Sequence, residues 1–176
     1  IIEAGHPTPE EFDAAFKPFM PMAPFELSDY VGNDVNVNGL QYMSQALSPE
    51  YKPSKAFLNM LKEGKLGKKT GKGFYDWSQG RPNIDLTKAT KEYDLNHLVA
   101  LQVNEATKVL EEGVCDDPKE IDLAMANGGG SPFGPFTLAQ GIGYPVLVAK
   151  LDELYAKFKL EIFKPTKTMK EGNIKV

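Results

Sequence analysis

Apolar residues recur at helical spacing over most of the chain. Between positions 95 and 112, Leu95, Leu98, Val99, Val103, Ala106, Val109 and Leu110 share one stripe that runs into Gly113. That spacing predicts a long core helix closed by a glycine cap. Residues 34–47 and 146–158 read as two more long helices, the second carrying Val148, Leu151, Leu154, Tyr155 and Phe158. A further helix over 53–61 is stopped by Gly64. Period-two alternation is confined to one short piece, Phe74-Tyr75-Asp76-Trp77. The pattern predicts an all-α protein.

The same unit occurs twice, with a period of about 110 residues. Ile1-Ile2-Glu3-Ala4-Gly5 lines up with Val109-Leu110-Glu111-Glu112-Gly113, and Pro9-Glu10-Glu11-Phe12-Asp13 with Pro118-Lys119-Glu120-Ile121-Asp122. Ala23-Pro24-Phe25-Glu26-Leu27 matches Gly134-Pro135-Phe136-Thr137-Leu138, Tyr51-Lys52-Pro53-Ser54-Lys55 matches Phe163-Lys164-Pro165-Thr166-Lys167, and Lys62-Glu63-Gly64 recurs as Lys170-Glu171-Gly172. The matches are colinear and pass through turn residues, which marks an internal duplication. Thr8-Pro9 and Asp117-Pro118 each combine a capping side chain with proline at the first helical position, and Glu11 and Glu120 stand where a capping box would close. These boundaries divide the chain into a first repeat at 1–77, a polar linker at 78–94 and a second repeat at 95–176. The second copy opens with the long helix ending at Leu110, whereas the first retains only its last turn, residues 1–4. With no initiator methionine, this predicts a preceding segment, and an apolar groove left open in the first copy.

Composition narrows the function. Hydrophobic residues make up 41% and charged residues 25%, as in a water-soluble globular protein, so a cytoplasmic location is expected. The formal charge of -4 supplies no broad positive field for nucleic acid. No apolar run reaches the roughly 20 residues of a membrane helix. Cys115 stands alone, which excludes an intrachain disulfide and fits a reducing compartment.

Candidate chemistry centres on Gly64-Lys65-Leu66-Gly67-Lys68-Lys69-Thr70-Gly71-Lys72-Gly73-Phe74-Tyr75-Asp76-Trp77. A phosphate loop fails on spacing, because Gly73 follows Gly71-Lys72 where serine or threonine must contact magnesium. Lys68, Lys69 and Lys72 could attract an anionic group such as a coenzyme A phosphate, or form a glycine-bent loop of solvated lysines. No Gly-x-Gly-x-x-Gly follows a strand, so no dinucleotide site is expected. His6 and His97 lack the neighbours of a catalytic set, and zinc-ligand spacings are absent, so neither catalytic nor metal-binding residues are expected. Asp116, Asp117 and Asp122 suit capping and helix-dipole roles. The proline-kinked segments at 21–27 and 131–138 suit either the lining of an acyl groove or ordinary packing at a helix entry.

The run from Leu66 to Trp77 is similar to the signature that closes the C-terminal repeat of the 3-hydroxyacyl-CoA dehydrogenases. Pro24-Phe25-Glu26-Leu27-Ser28-Asp29-Tyr30-Val31-Gly32 and the stretch from Asn104 to Gly113 also resemble that family, and the resemblance covers nearly the whole chain. It implies an all-α fold of the 6-phosphogluconate dehydrogenase C-terminal-like type in two tandem pseudo-symmetric repeats. It also implies an enzyme of fatty acid β-oxidation that turns a 3-hydroxyacyl-CoA into a 3-ketoacyl-CoA, passing hydride to NAD. The catalytic His-Glu pair and the NAD site of the family belong to a Rossmann domain that would precede Ile1, so the chain alone is expected to be inactive and to bind no cofactor. In this reading the helical part lines the acyl-CoA site through Met22, Pro24, Phe25, Leu27, Lys68 and Lys72, and supplies a dimer contact or an internal pseudo-dimer. Some relatives continue into an enoyl-CoA hydratase domain. Ala23 and Asn33 depart from the glycine and apolar residue usual in the family, the second copy carries no Gly-Lys-Lys-Thr segment of its own, and Asn104 does not match the family's substrate-contacting asparagine. Two other readings stay open: a freestanding helical module that binds acyl-CoA or a protein, and the helical domain of a dehydrogenase acting on free hydroxyacids.

Overall fold

The computed structural model describes residues 5–129 and 131–176; the expected terminal turn at 1–4 and Gly130 lie outside them. The chain divides between Tyr93 and Asp94 into two compact units. The first contains α1 (Pro9–Phe16), α2 (Pro24–Val31), α3 (Asn33–Ala46) and α4 (Lys55–Lys62). The second contains α5 (Leu95–Glu111), α6 (Pro118–Gly128), α7 (Pro135–Ile142), α8 (Tyr144–Phe158) and α9 (Lys167–Glu171). Among the described residues there is no named strand: the extended piece at 74–77 makes only an isolated antiparallel bridge between Lys72 and Asp76.

The duplication is carried into three dimensions. α1 corresponds to α6, α2 to α7, α3 to α8 and α4 to α9, with single 3-10 turns at Pro49–Tyr51 and Glu161–Phe163 in matching places. Gly32 and Gly143 make the two corresponding helix junctions with φ of 115° and 101°, a region that disfavours any side chain. Thr8 and Glu11 close the expected capping box. In the second unit Asp117 caps through the Lys119 N–H, while the Glu120 carboxylate lies 3.8 Å from Cys115 Sγ. Ser54 and Thr166 are the N-caps of α4 and α9, so Pro53 precedes its helix and is not its first residue.

In the second unit α5 lies against α7, α8 and α9. Val99, Ala100, Val103 and Ala106 of α5 meet Phe136, Ala139, Leu147, Leu151 and Met169 in a closed apolar core. The inner face of α8 is Tyr144, Leu147, Leu151 and Leu154, turned from the expected stripe, because Tyr144 also belongs to the helix and faces inward. Polar residues share the buried side of α5. The Asn104 amide donates to the carbonyl of Lys164 (3.0 Å) and accepts the Thr166 N–H (3.0 Å), and the Thr107 and Thr166 hydroxyls lie 2.7 Å apart, which fastens the turn before α9 to the long helix.

In the first unit, Phe12, Phe16, Phe25 and Phe74 form a chain of ring contacts. Of the expected linker at 78–94, residues 78–93 belong to this unit and pack onto it. Ile84 is buried against Ala14 and Ala23, and the Tyr93 ring meets that of Phe12 at 5.7 Å.

Candidate functional site

The glycine-lysine signature is organised around carboxylates. Asp13, Glu26 and Asp29, on α1 and α2, are all fully buried. Asp29 accepts hydrogen bonds from the N–H groups of Phe74 and Tyr75 (2.9 Å each), the Trp77 indole (3.0 Å) and the Asn33 amide (2.8 Å). A methyl group at Gly73 would lie 2.0 Å from Asp29 Oδ1, and one at Gly67 would lie 2.2 Å from the Asp29 carbonyl oxygen. The two glycines are therefore where the loop comes down onto α2, and the Phe-Tyr-Asp-Trp run supplies the donors that neutralise the buried charge.

Asp13 accepts from the N–H groups of Phe25 and Glu26 (2.8 Å each) at the start of α2 and from the Tyr75 hydroxyl (2.8 Å). Burial pushes its carboxyl up to about 6, despite those donors. Burial, then the Asp13 charge, also raises the Tyr75 phenol, which stays protonated and donating. Burial works against the Glu26 charge as well, but hydrogen bonds from Arg81, Lys17 and the Ala23 N–H outweigh it and hold Glu26 below its ordinary range. In the second unit Asp122 caps α7 through the N–H groups of Phe136 (2.7 Å) and Thr137 (2.8 Å), and the Thr137 hydroxyl takes the place of the Tyr75 phenol. The capping role expected of Asp122 has its counterpart in Asp13.

The lysines of the loop point to different partners. Lys68 Nζ stands 4.3 Å above the Tyr30 ring, Lys69 pairs with Asp34, and Lys72 is exposed beside Asp76. The structure does not gather them into one cradle. Nor does the loop fit the pyrophosphate of NAD: the space between Gly67 and Gly73 is filled by Asp29, whose negative charge would repel a phosphate.

Phe25, expected to line an acyl groove, is a core residue between the Phe12 and Phe74 rings. Met22 and Pro24 are half-buried, and Leu27 is exposed. His97 is buried at the start of α5, where Nδ1 accepts the Asp94 N–H (3.1 Å) and Nε2 lies 3.2 Å from Glu153, an arrangement that ties α5 to α8. Among the described residues no group of three or more His, Cys, Asp or Glu is placed to hold a metal ion, and no helix is long and apolar enough to cross a membrane.

Sequence reasoning missed Asp13, Glu26 and Asp29. A signal was available in the duplication: Asp13 recurs as Asp122, whereas Glu26 and Asp29 become Thr137 and Gln140 in the second copy.

Comparison with known proteins places this arrangement. The family model described as "3-hydroxyacyl-CoA dehydrogenase, C-terminal domain" matches residues 1–77 and again 93–173. The chain is 31% identical over 173 residues to the "Fatty acid oxidation complex subunit alpha" of Vibrio campbellii, with 90% of this chain and 24% of that protein covered. It is 32% identical to the "Peroxisomal bifunctional enzyme" of Cavia porcellus, with 88% of this chain and 26% of that protein covered. The chain thus spans about a quarter of the length of these relatives. Among solved structures, the 3-hydroxybutyryl-CoA dehydrogenase of Escherichia coli superposes with a TM-score of 0.82 at 21% identity over 97% of this chain and 55% of the other, a likeness of fold. With both copies matched, the chain belongs to the 3-hydroxyacyl-CoA dehydrogenase C-terminal domain family.

Proposed function

We propose that this chain is the helical part of an NAD-dependent 3-hydroxyacyl-CoA dehydrogenase of fatty acid oxidation, which oxidises the 3-hydroxyl of the acyl chain to a ketone. The observation that carries this reading is the family match through both copies, together with a signature loop seated intact on Asp29. Hydride transfer belongs in this reading to a dinucleotide-binding domain, because Asp29 fills the inner side of the glycine loop. The helical units then offer a wall for the acyl-CoA: Met22, Pro24 and Leu27 supply apolar surface, and Lys68 and Lys72 supply charge for the coenzyme A phosphates.

Calorimetric titration with acetoacetyl-CoA, and in parallel with NADH and free coenzyme A, tests the division of labour. The thioester is expected to bind and NADH to give no heat. Loss of thioester binding in Lys68→Ala/Lys72→Ala would assign the lysines to the coenzyme. Turnover of 3-hydroxybutyryl-CoA with NAD by this chain alone would overturn the proposal.

A further inference from the structure

We propose that residues 78–93 form a releasable strap, which opens from the first unit as one piece while α1 to α4 stay folded. The segment is fastened almost entirely by side chains. Arg81 reaches buried Glu26 and the carbonyl of Pro21, Ile84 packs on Ala14 and Ala23, Lys88 pairs with Glu10 (2.9 Å), and the Tyr93 ring rests on Phe12. One of its backbone groups is bonded to a helix, the Thr90 N–H to the Glu11 carbonyl (3.0 Å). Further backbone bonds close local turns, as from Gly80 to Trp77 and from Lys88 to Asp85. A segment held by few backbone bonds and scattered contacts opens at lower cost than the helices beneath it.

Opening the strap would uncover the side of α1 around Ala14 and Phe16, on which Ile84 packs through Ala14. The signature loop keeps its seat, because Phe74 and Tyr75 hold Asp29 upstream of the strap. Since residues 78–93 end where α5 begins, release also adds up to about 55 Å of free chain between the two units.

Amide hydrogen exchange on the 176-residue chain tests this. The Gly80, Lys88, Ala89 and Thr90 amides are expected to exchange at least about a hundredfold faster than those of α2 and α3, with one shared denaturant dependence smaller than that of the helices. Arg81→Ala, and separately Ile84→Ala, should each raise exchange across 78–93 by about tenfold, whereas Val37→Ala, in α3 and away from the strap, should speed α2 and α3 by at least about tenfold and leave 78–93 unchanged. Exchange of strap and helices at one rate with one denaturant dependence, or an equal rise in both on Val37→Ala, would show the strap to be an integral part of the unit and overturn the proposal.

Discussion

Replacing Gly73 by alanine isolates the contact around which the signature loop is built. The added methyl would lie 2.0 Å from Asp29 Oδ1 and 2.5 Å from its Cγ, so either the loop or the carboxylate must move. The carboxylate has nowhere to go without loss, because four donors converge on it, from Phe74, Tyr75, Trp77 and Asn33. Lifting the loop leaves a fully buried charge with fewer partners, which costs about 3 to 5 kcal/mol. For a unit of this size that corresponds to a Tm loss on the order of 15 °C or more. Gly71 is the control: its φ of 74° strains an alanine by about 1 to 2 kcal/mol, but no atom lies within 4 Å of the added methyl. Trp77 is the single tryptophan of the chain and donates to Asp29, so thermal unfolding followed by its fluorescence reads this unit alone. Gly73→Ala is expected to melt well below Gly71→Ala. Equal melting temperatures, or the reverse order, would mean that the loop is not set by close approach to Asp29.

Other expectations probe both units. Asn104→Ala removes the clamp between α5 and the turn before α9 and should cost about 2 to 4 kcal/mol in urea unfolding, with α9 losing exchange protection first; retained α9 protection would contradict the clamp. Leu151→Ala opens a cavity in the core of the second unit and should cost about 2 to 5 kcal/mol in the same assay, a cost under 1 arguing that the site is not closely packed. The Tyr144 hydroxyl is buried with no hydrogen-bond partner among the described residues, so Tyr144→Phe should stabilise the chain by about 1 kcal/mol, and a clear loss of stability would reveal a bond to that oxygen. Asp13 has a native pKa of about 6 against an ordinary 3.8, so the folded state binds the additional proton between those values. Its contribution to stability is fully present below pH 3.8 and falls by roughly 3 kcal/mol as the pH rises through 6, which carboxyl carbon-13 titration checks directly; a native pKa under 4 would sink the assignment.

The helical frame was legible because period and punctuation agree: the stripe on α5, the capped starts at Thr8 and Asp117, and the repeat pairs each predict an element that the structure contains. What escaped was polar and inward-facing. Asn104 and Thr107 interrupt no apolar stripe, yet both are fully buried, because each satisfies backbone or side-chain groups at the turn before α9. Residues 78–93 read as a linker from their polarity, since Ile84 and Tyr93 are too widely spaced to register as a periodic face. The lysines drew attention to the outside of the signature loop, while its spacing is dictated from the inside by an aspartate 38 or more residues earlier in the chain.

The duplication converts that blind spot into a test within one sequence. Both copies keep the aspartate that caps the next helix, Asp13 and Asp122, because every framework of this kind must satisfy the first amides of α2 or α7. The first copy has Glu26 and Asp29, on which the strap and the loop are seated, where the second has neutral Thr137 and Gln140. A buried carboxylate is tolerated where partners reach it and is costly where they do not. Asp29 meets that condition through the donors of the loop, and Glu26 through Arg81, Lys17 and the Ala23 N–H. Gln140, at the position of Asp29, approaches the carbonyl of Ile174 at 3.5 Å, in the stretch that follows α9 as the loop follows α4.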